Sequence, residues 1–536
     1  RGGGAGVHGR PGCRGARGCR HRGGSSSPSG RHDHEPVCQW VVAQLRHGCS
    51  VGPRAPIHDV LSAPTDGRAR RTAWRRGGPA ILRPVAVRFV IIGGGPAGNT
   101  AASVAATLGA EVTLVEREIV GGAAHLLDCI PSKAMIATGG ALGELSRAEV
   151  MGLAAEGRLD LEALRARIAG IEERLNAQIT HQLVSQGVRI IRGTGKLDGP
   201  HVVAVETGGG VERLTADAIL VATGSRARVP DWAQVDGERV LTTRQAYPPL
   251  EIPEHLVIVG SGVTGVEFAH MFTSLGSRVT LIVSRQQVLP AKDPEVAAVL
   301  ETDFLRRGVQ LFKGARALAV EREGDVVRVR CEDGRVATGS HVVLAVGSIP
   351  NSESLDLSSA GVAVDAGGYV PVNHHLQSNV AHVYAAGDLS GKLPLSSVAA
   401  MQGRKIAEHV MGLHTREHRH LDYDKAASAI FTEPEIADVG LAEADAFAEG
   451  RKLRVTKVPF SANAKALIEG DPRGFVKILS DPATGEVLGG SIVGRNAAEL
   501  ISVLALAVTC GLKVADIVDS LLVHPALAES LIEAAD

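Results

Sequence analysis

Two copies of one pattern constrain this 536-residue chain more than any other feature. In each copy, at residues 88–118 and 255–285, an apolar run enters a G-x-G-x-x-G turn and a helix-length stretch leads to a second apolar run. The first glycine permits a tight bend, the second lets a pyrophosphate approach the backbone, and the third lets the helix pack closely on the strand. We therefore predict an α/β chain with two Rossmann-like dinucleotide-binding domains. The six glycines are Gly93, Gly95, Gly98, Gly260, Gly262 and Gly265.

The two copies differ where their second apolar run ends. Glu116 ends the first run, in the position where a carboxylate accepts hydrogen bonds from ribose hydroxyls. In the second copy Val283 replaces that acid, and Ser284 and Arg285 follow. Without a carboxylate to repel it, a 2′-phosphate is tolerated, and Arg285 can pair with it. We expect NADPH to be accepted at least as well as NADH; if Arg285 points into water, both nucleotides are accepted.

Three shorter segments belong to the same nucleotide-binding units. The segments "ILVATGS" at 219–225 and "VVLAVGSIPN" at 342–351 are apolar strands that end in glycine turns. The segment "VYAAGDLSG" at 383–391 places a carboxylate after a turn of small residues, where it can bind a ribityl hydroxyl. Two dinucleotide folds indicate a tightly held FAD and an exchanging NADPH or NADH. The binding residues predicted from these segments are Thr223, Gly224, Gly347, Gly387 and Asp388.

The stretch "GGAAHLLDCIPSK", at residues 121–133, contains a single cysteine. Lys133 follows Cys129 by four residues, so one helical turn places both side chains on one face. If this stretch opens a helix, we expect the Lys133 cation and the backbone dipoles to lower the pKa of Cys129.

From about Val87 to the C-terminus the chain resembles the flavoprotein disulfide reductases, a group that includes lipoamide dehydrogenase and glutathione reductase. The stretch "GGAA…CIPSK" and the downstream segments "LPLSSVAAMQGR" and "YAAGDLSG" are most similar to actinobacterial NAD(P)H:quinone reductases formerly named lipoamide dehydrogenases. The resemblance implies an FAD domain in two segments (85–246 and 373–424), an inserted NAD(P) domain (247–372) and an α+β dimerisation domain (425–536). It also adds Gly122, Lys133 and Ser397 to the flavin-binding residues.

Members of this family carry two cysteines five residues apart, but Ala124 occupies the first position here. The resemblance implies that Cys129 lies against the flavin and that Lys133 pairs with Glu267 near it. It further implies that His524, oriented by Glu529 in "LLVHPALAES", reaches the flavin of the other subunit in a homodimer. Without a second cysteine, the mixed disulfide formed in thiol–disulfide exchange cannot be resolved in the ordinary way.

Our leading hypothesis is an FAD-dependent NAD(P)H dehydrogenase that passes electrons from the flavin directly to a quinone-type acceptor. The alternatives are a lipoamide dehydrogenase-like disulfide reductase, a pyridine nucleotide transhydrogenase and a single-cysteine peroxide reductase. A flavin-binding sensor is a further alternative, but it would be expected to show a degraded second glycine turn.

Charge and composition separate the first 84 residues from the rest. Residues 1–84 contain 15 arginines against four acidic residues, a net charge of +11, whereas the remainder has 42 basic and 54 acidic residues, a net charge of −12. We predict that residues 1–84 are disordered or a leader outside the functional chain, which would then begin near Val85 or Val87. The acidic body argues against a nucleic-acid partner. We predict no metal site and no membrane span, and the few cysteines of the body favour the cytoplasm.

Overall fold

The computed structural model describes residues 86–413 and 420–536. Our predictions for residues 1–84 therefore lie outside the described residues. The helices and strands fall into three groups along the chain, each built around its own sheet, and the last strand and helix before the third group return to the first sheet.

The first group is a parallel sheet with helices against it, together with a separate three-stranded antiparallel sheet at residues 194–215. Its elements are β1 (Arg88–Ile92), α1 (Pro96–Thr107), β2 (Glu111–Glu116), a π-helical segment (Ala124–Cys129), α2 (Ile130–Ser146), α3 (Leu161–Ser185), β3 (Arg189–Arg192), β4 (Thr194–Leu197), β5 (Val202–Thr207), β6 (Gly210–Thr215), β7 (Ala218–Val221) and β8 (Ser225–Ala227). β1 lies between β2 and β7, and β3 forms one edge of the sheet. Alternate β1 side chains enter two different cores, which explains why this strand is a continuous apolar run.

The second group repeats this architecture. Its elements are β9 (Val240–Thr242), β10 (His255–Val259), α4 (Val263–Ser274), β11 (Arg278–Val283), α5 (Pro294–Arg306), β12 (Gln310–Lys313), β13 (Ala317–Glu323), β14 (Val326–Cys331), β15 (Val336–Gly339) and β16 (His341–Leu344). The parallel sheet has the order β12-β11-β10-β16-β9, and β13 to β15 form an antiparallel sheet beside it. The two copies of the glycine pattern thus form two Rossmann-like units, as predicted.

The connections between the two units differ from the predicted limits at residues 247 and 372. β9 lies before residue 247 but pairs with β16 in the second sheet. At the other end, β17 (Ser348–Pro350) pairs with β8, and apolar residues from Leu355 to Val370 pack into the core of the first unit. Sequence patterns mark individual strands, whereas these limits depend on pairing between strands that are distant in sequence.

The chain then returns to the first sheet. β18 (Val383–Ala385) pairs with β7 on the edge opposite β3, and α6 (Ser396–Val410) packs on α1. The two helices approach so closely that a Cβ atom on Gly403 would lie 2.1 Å from the Ala97 carbonyl oxygen.

The third group is an antiparallel sheet covered by helices. Its elements are β19 (Ser428–Ile430), β20 (Glu435–Gly440), α7 (Glu443–Ala448), β21 (Arg454–Pro459), α8 (Ala464–Ile468), β22 (Phe475–Ser480), β23 (Val487–Gly494), α9 (Ala497–Cys510), α10 (Val514–Val518) and α11 (Glu529–Ala535). The strand order is β19-β20-β23-β22-β21. Short 3₁₀ helices lie at Ala148–Met151, Arg244–Ala246, Glu353–Leu355, Leu357–Ala360, Gly387–Ser390, Tyr423–Lys425 and Phe460–Ala462. Of the helices in 86–413 and 420–536, none is long and apolar enough to cross a membrane.

Candidate active site

The first glycine turn has an open face and a closed face. Gly93 has φ +107°, and a Cβ atom there would lie 2.3 Å from the carbonyl oxygen of Ala222. A Cβ atom on Gly98 would lie 1.9 Å from the Gly93 carbonyl oxygen, so α1 touches the turn. By contrast, a Cβ atom on Gly95 would meet no described atom nearer than 3.9 Å, where it would approach the Cα of Gly122. The open face at the N-terminus of α1 therefore fits the pyrophosphate of a dinucleotide.

The Glu116 side chain lies beside this glycine turn. Its carboxylate accepts hydrogen bonds of 2.7 Å from the backbone N–H groups of Gly94 and Glu118, which fixes it beside the glycines. Gly122 packs against the same turn, because a Cβ atom on it would lie 2.4 Å from the Cα of Gly95. The structure thus brings the three glycines of the first turn together with Glu116 and Gly122.

The second glycine turn has the same form. Gly260 has φ +112°, and a Cβ atom on Gly265 would lie 1.9 Å from the Gly260 carbonyl oxygen. Around a Cβ atom on Gly262, no heavy atom of the described chain lies within 4 Å. Val283 is fully buried in the core, whereas Arg285 is exposed and forms no ion pair with any residue that the structure describes. Arg285 is therefore available to an anionic ligand beside this turn.

The glycine turns after β7 and β16 meet where the two units join. The Thr223 hydroxyl donates to the Asn351 carbonyl oxygen at 2.8 Å, and the Asn351 side chain donates to the Thr223 carbonyl oxygen at 3.0 Å. The Asn351 N–H donates to the Gly224 carbonyl oxygen at 3.0 Å. Gly347 is exposed with φ +97°, and its carbonyl accepts a hydrogen bond from Arg228.

Asp388 lies in the 3₁₀ turn after β18. Its carboxylate accepts a hydrogen bond from the Ser225 hydroxyl at 2.5 Å. The neighbouring Gly387 N–H donates to the side chain of Gln402 at 2.7 Å, and this fully buried amide donates to the Tyr423 hydroxyl at 3.0 Å. Sequence reasoning did not identify Ser225, Gln402 or Tyr423, since no motif connects them to Asp388. Ser397 is exposed in the first turn of α6.

The stretch containing the single cysteine forms a π-helical segment that continues directly into α2. Ala124 and Cys129 are its first and last residues, and the N–H of Ile130 donates to the carbonyl of His125, five residues earlier. Ala124 is exposed and Cys129 is partly buried. Rare π-helical turns often mark functional sites. The backbone at Cys129 is already helical, so the residue does not lie at a helix N-terminus.

The pKa of Cys129 corrects our expectation. Burial raises this pKa, and although the Lys133 ammonium opposes the shift, its effect is smaller. The carboxylates of Asp128, Glu267 and Asp388 raise the pKa further. The predicted lowering of the pKa by helix dipoles is absent, because the π-helical segment precedes α2 and Cys129 therefore does not lie at a helix N-terminus. Burial therefore favours the protonated thiol form of Cys129 over the thiolate.

The predicted ion pair between Lys133 and Glu267 is present. The Lys133 Nζ lies 2.8 Å from one oxygen of the buried Glu267 carboxylate, whose other oxygen accepts the Phe431 N–H at 3.0 Å. The Phe431 ring also lies 4.9 Å from the Lys133 Nζ. Phe431 precedes β20 and joins the third group to the first two, a role that the sequence did not reveal.

A second ion pair next to Cys129 was not predicted. Arg244 donates two hydrogen bonds to the carboxylate of Asp128, one of them at 2.6 Å, and the buried Tyr247 hydroxyl bonds the same carboxylate. Burial raises the pKa of Asp128 despite the Arg244 cation. These residues hold the end of the π-helical segment against the second unit.

His524 and Glu529 form the predicted pair in the third group. The His524 Nδ1 lies 2.7 Å from Glu529 Oε1, and Glu529 Oε2 accepts the Ala526 N–H at 2.9 Å. The hydrogen bond from the Ala526 N–H lowers the pKa of the Glu529 carboxyl, and the contact with His524 lowers it further. The His524 side chain is 73% exposed, so its Nε2 is accessible for chemistry with another molecule.

Within the described ranges the cysteines are Cys129, Cys331 and Cys510, and all three are free thiols. Cys331 ends β14 of the second unit and Cys510 ends α9 of the third group. Neither belongs to the elements that surround Cys129.

The family model described as pyridine nucleotide-disulphide oxidoreductase matches residues 87–403. The chain belongs to this family. The model of the family's dimerisation domain matches residues 426–535, which supports a homodimer. The protein is an FAD- and NAD(P)H-dependent oxidoreductase, with two Rossmann-like domains and a C-terminal dimerisation domain.

Two similar proteins and one solved structure match this chain over nearly the whole of their own lengths. NAD(P)H dehydrogenase (quinone) of Mycobacterium tuberculosis is 41% identical over 461 residues, which are 84% of this chain and 93% of the relative. Dihydrolipoyl dehydrogenase of Haloferax volcanii is 35% identical over 457 residues, which are 84% of this chain and 95% of the relative. The crystal structure of LpdA from M. tuberculosis, 41% identical, matches with a TM-score of 0.80 over 84% of this chain and 99% of that one. These likenesses confirm the predicted resemblance to quinone reductases formerly named lipoamide dehydrogenases.

Proposed function

We propose that this protein is an NAD(P)H dehydrogenase in which electrons pass from FAD directly to a quinone-type acceptor. The observation that carries the proposal is the intact π-helical segment with Cys129 at one end and Ala124 at the other, where a redox disulfide would need a second sulfur. The overall reaction balances as NAD(P)H, a proton and a quinone giving NAD(P)⁺ and a quinol. The name of the Mycobacterium tuberculosis relative supports this acceptor class.

Bound FAD would supply the capacity to accept two electrons from NAD(P)H and release them to a second substrate. The open glycine faces at Gly95 and Gly262 would hold the two dinucleotides by their pyrophosphates. Arg285 would pair with a 2′-phosphate, which favours NADPH.

The Lys133 ammonium would stabilise negative charge delivered to the centre of the site. Glu267 keeps this cation in place and partly offsets its charge, while the Phe431 N–H and ring fix both side chains. The pair therefore positions and tunes a single positive charge without needing a thiol as an intermediate carrier.

His524 would protonate the oxygen of the reduced acceptor through its exposed Nε2. Its Nδ1 faces the Glu529 carboxylate, an arrangement that fixes the orientation of the ring. In the homodimer, we propose that this histidine serves the flavin site of the other subunit.

The state of Cys129 disfavours the two sulfur-based alternatives. Disulfide reduction needs a resolving thiol, and Ala124 cannot supply one. Peroxide reduction through a sulfenic acid depends on thiolate character, whereas burial raises the pKa of Cys129. We propose that Cys129 packs beside the flavin as a thiol and does not cycle.

The test is anaerobic reduction of the FAD-loaded protein with NADPH, followed by rapid mixing with menadione, lipoamide or hydrogen peroxide. We expect menadione alone to reoxidise the flavin quickly, and Cys129→Ser to keep menadione turnover within about tenfold, or ~1.4 kcal/mol. Reoxidation by lipoamide or peroxide at a rate comparable with menadione, lost in Cys129→Ser, would overturn the proposal.

A further inference from the structure

We propose that the protein binds a divalent transition-metal ion, of the Zn²⁺ or Cu²⁺ class, through His374, His375 and His420. One nitrogen from each of these three imidazoles lies within 4.8 Å of the others. His374 and His420 are exposed and His375 is partly buried, so an ion from solvent can reach them. This inference is independent of the acceptor that the flavin reduces.

The distances fit a metal after small side-chain movements. Two nitrogens bound tetrahedrally at about 2.0–2.1 Å from a Zn²⁺ ion lie roughly 3.3 Å apart. The rings are already in contact: the centroids of His374 and His375 lie 4.0 Å apart, and those of His374 and His420 lie 4.6 Å apart. In the proposed site, the two exposed side chains, His374 and His420, would rotate to bring the nitrogens to one ion.

The backbone that carries His374 and His375 is held in a fixed turn. The Asn373 side-chain oxygen accepts the N–H groups of His375 and Gln377 at 2.8 and 3.0 Å. Leu376 completes the turn with φ +65° and a buried side chain. A rigid turn keeps the two neighbouring imidazoles close together before any ion arrives, which lowers the cost of ordering them.

The surroundings of the cluster also favour a cation. His409, in the last turn of α6, places its ring 4.5 Å from that of His375, and its Nδ1 lies 2.7 Å from the Tyr384 hydroxyl. The C-terminal end of a helix carries partial negative charge, which stabilises positive charge nearby. Among the described residues, the metal-ligating group found here consists of three imidazoles, and imidazole ligands suit Zn²⁺, Cu²⁺ or Ni²⁺ better than Mg²⁺ or Ca²⁺.

The cluster is separate from the flavin site. α6 begins at Ser396, close in sequence to Asp388, and the cluster lies beyond its other end. A helix of this length spans about 22 Å. A metal here would connect the turn before β18 to His420.

In the part of the chain that the structure describes, a second group of metal-ligating side chains already surrounds a cation. Asp293, Glu295 and Glu443 surround the buried Lys477 ammonium at 2.8, 2.5 and 2.8 Å. The histidine cluster, in contrast, faces solvent.

The test is calorimetric titration of the metal-stripped, FAD-loaded full chain with ZnCl₂, and electron paramagnetic resonance after addition of CuCl₂. The variants are His420→Ala, the triple variant His374→Ala/His375→Ala/His420→Ala, and the control His181→Ala on the exposed face of α3. Because histidine and cysteine side chains elsewhere in a protein can also bind metal ions, the measured quantity is the difference between each variant and wild type.

We expect wild type and His181→Ala to bind one more ion per chain than the triple variant. His420→Ala alone should weaken that ion's binding by at least about tenfold, and the copper spectrum of wild type should show several nitrogen ligands that the triple variant loses. FAD content and menadione turnover should stay unchanged in His420→Ala, because this side chain is exposed and is not one of the residues assigned to the flavin site. Equal stoichiometry, with affinity within about twofold, in the triple variant and wild type would overturn the proposal, as would an unchanged affinity in His420→Ala.

Discussion

For the ion pair of Lys133 and Glu267, we predict that a second substitution restores part of the flavin-reduction rate that the first one removes. Replacing Lys133 with methionine leaves a carboxylate that is buried, 9% exposed as a side chain, without its cation. That unpaired charge should repel negative charge delivered by NADPH. Lys133→Met should therefore slow flavin reduction, and adding Glu267→Gln should restore part of the lost rate.

The magnitude follows from the geometry. At the 2.8 Å separation of the pair, the gross attraction is about 6 kcal/mol with an effective dielectric constant near 20. Dehydration offsets most of it, and because the Lys133 side chain is 33% exposed, water screens it further. Charged hydrogen bonds contribute about 1.5–3 kcal/mol net, and we take the lower end. The double variant should thus reduce its flavin about tenfold faster than Lys133→Met.

The assay is anaerobic stopped-flow reduction by saturating NADPH, followed by flavin absorbance, for wild type, both single variants and the double variant. Lys452→Met is the matched control, since Lys452 is an exposed lysine of the dimerisation domain. The FAD-to-protein ratio of each variant shows whether the cofactor is retained. A double variant that is as slow as Lys133→Met, or slower, would refute the reasoning.

Four further predictions concern single residues. Ala124→Cys adds a thiol one π-helical turn before Cys129, so a disulfide should form in the oxidised protein and lipoamide reduction should appear; thiol titration before and after NADPH addition checks this. Since burial raises the pKa of Cys129, iodoacetamide should modify it more slowly than a free small thiol at neutral pH, and the difference in rate should shrink as the pH is raised; alkylation rates measured across a pH series check this. Arg285→Glu should lower kcat/KM for NADPH by at least about tenfold relative to NADH, measured by steady-state kinetics. His524→Ala should slow menadione turnover by about 10²–10⁴-fold while flavin reduction by NADPH in a single turnover stays unchanged.

The glycine turns were predictable because the constraint on each is local. A side chain on Gly98 or Gly265 would collide with the carbonyl oxygen of a glycine five residues earlier in the same turn. Spacing alone therefore identified both nucleotide-binding units. Lys133, Glu267, His524 and Glu529 were found differently, through resemblance to a family whose motifs the chain retains.

The surroundings of Cys129 were not predictable from local patterns. Asp128 and Arg244 lie 116 residues apart, and only the packing of the second unit on the π-helical segment brings them together. The sequence suggested a cysteine activated by Lys133 and helix dipoles, but burial dominates once the fold is formed. The histidine cluster was missed for the same reason, because His420 joins His374 and His375 only through the path of the chain around α6.

An anaerobic reductive titration of the FAD-loaded protein tests most directly whether electrons pass from the flavin to the acceptor without a thiol relay. If Cys129 has no partner, the flavin is the only electron store, and complete reduction should consume two electrons per FAD with no new thiols. Ala124→Cys should consume four. Consumption of four electrons per FAD by the wild-type protein, accompanied by two newly titratable thiols, would contradict the account.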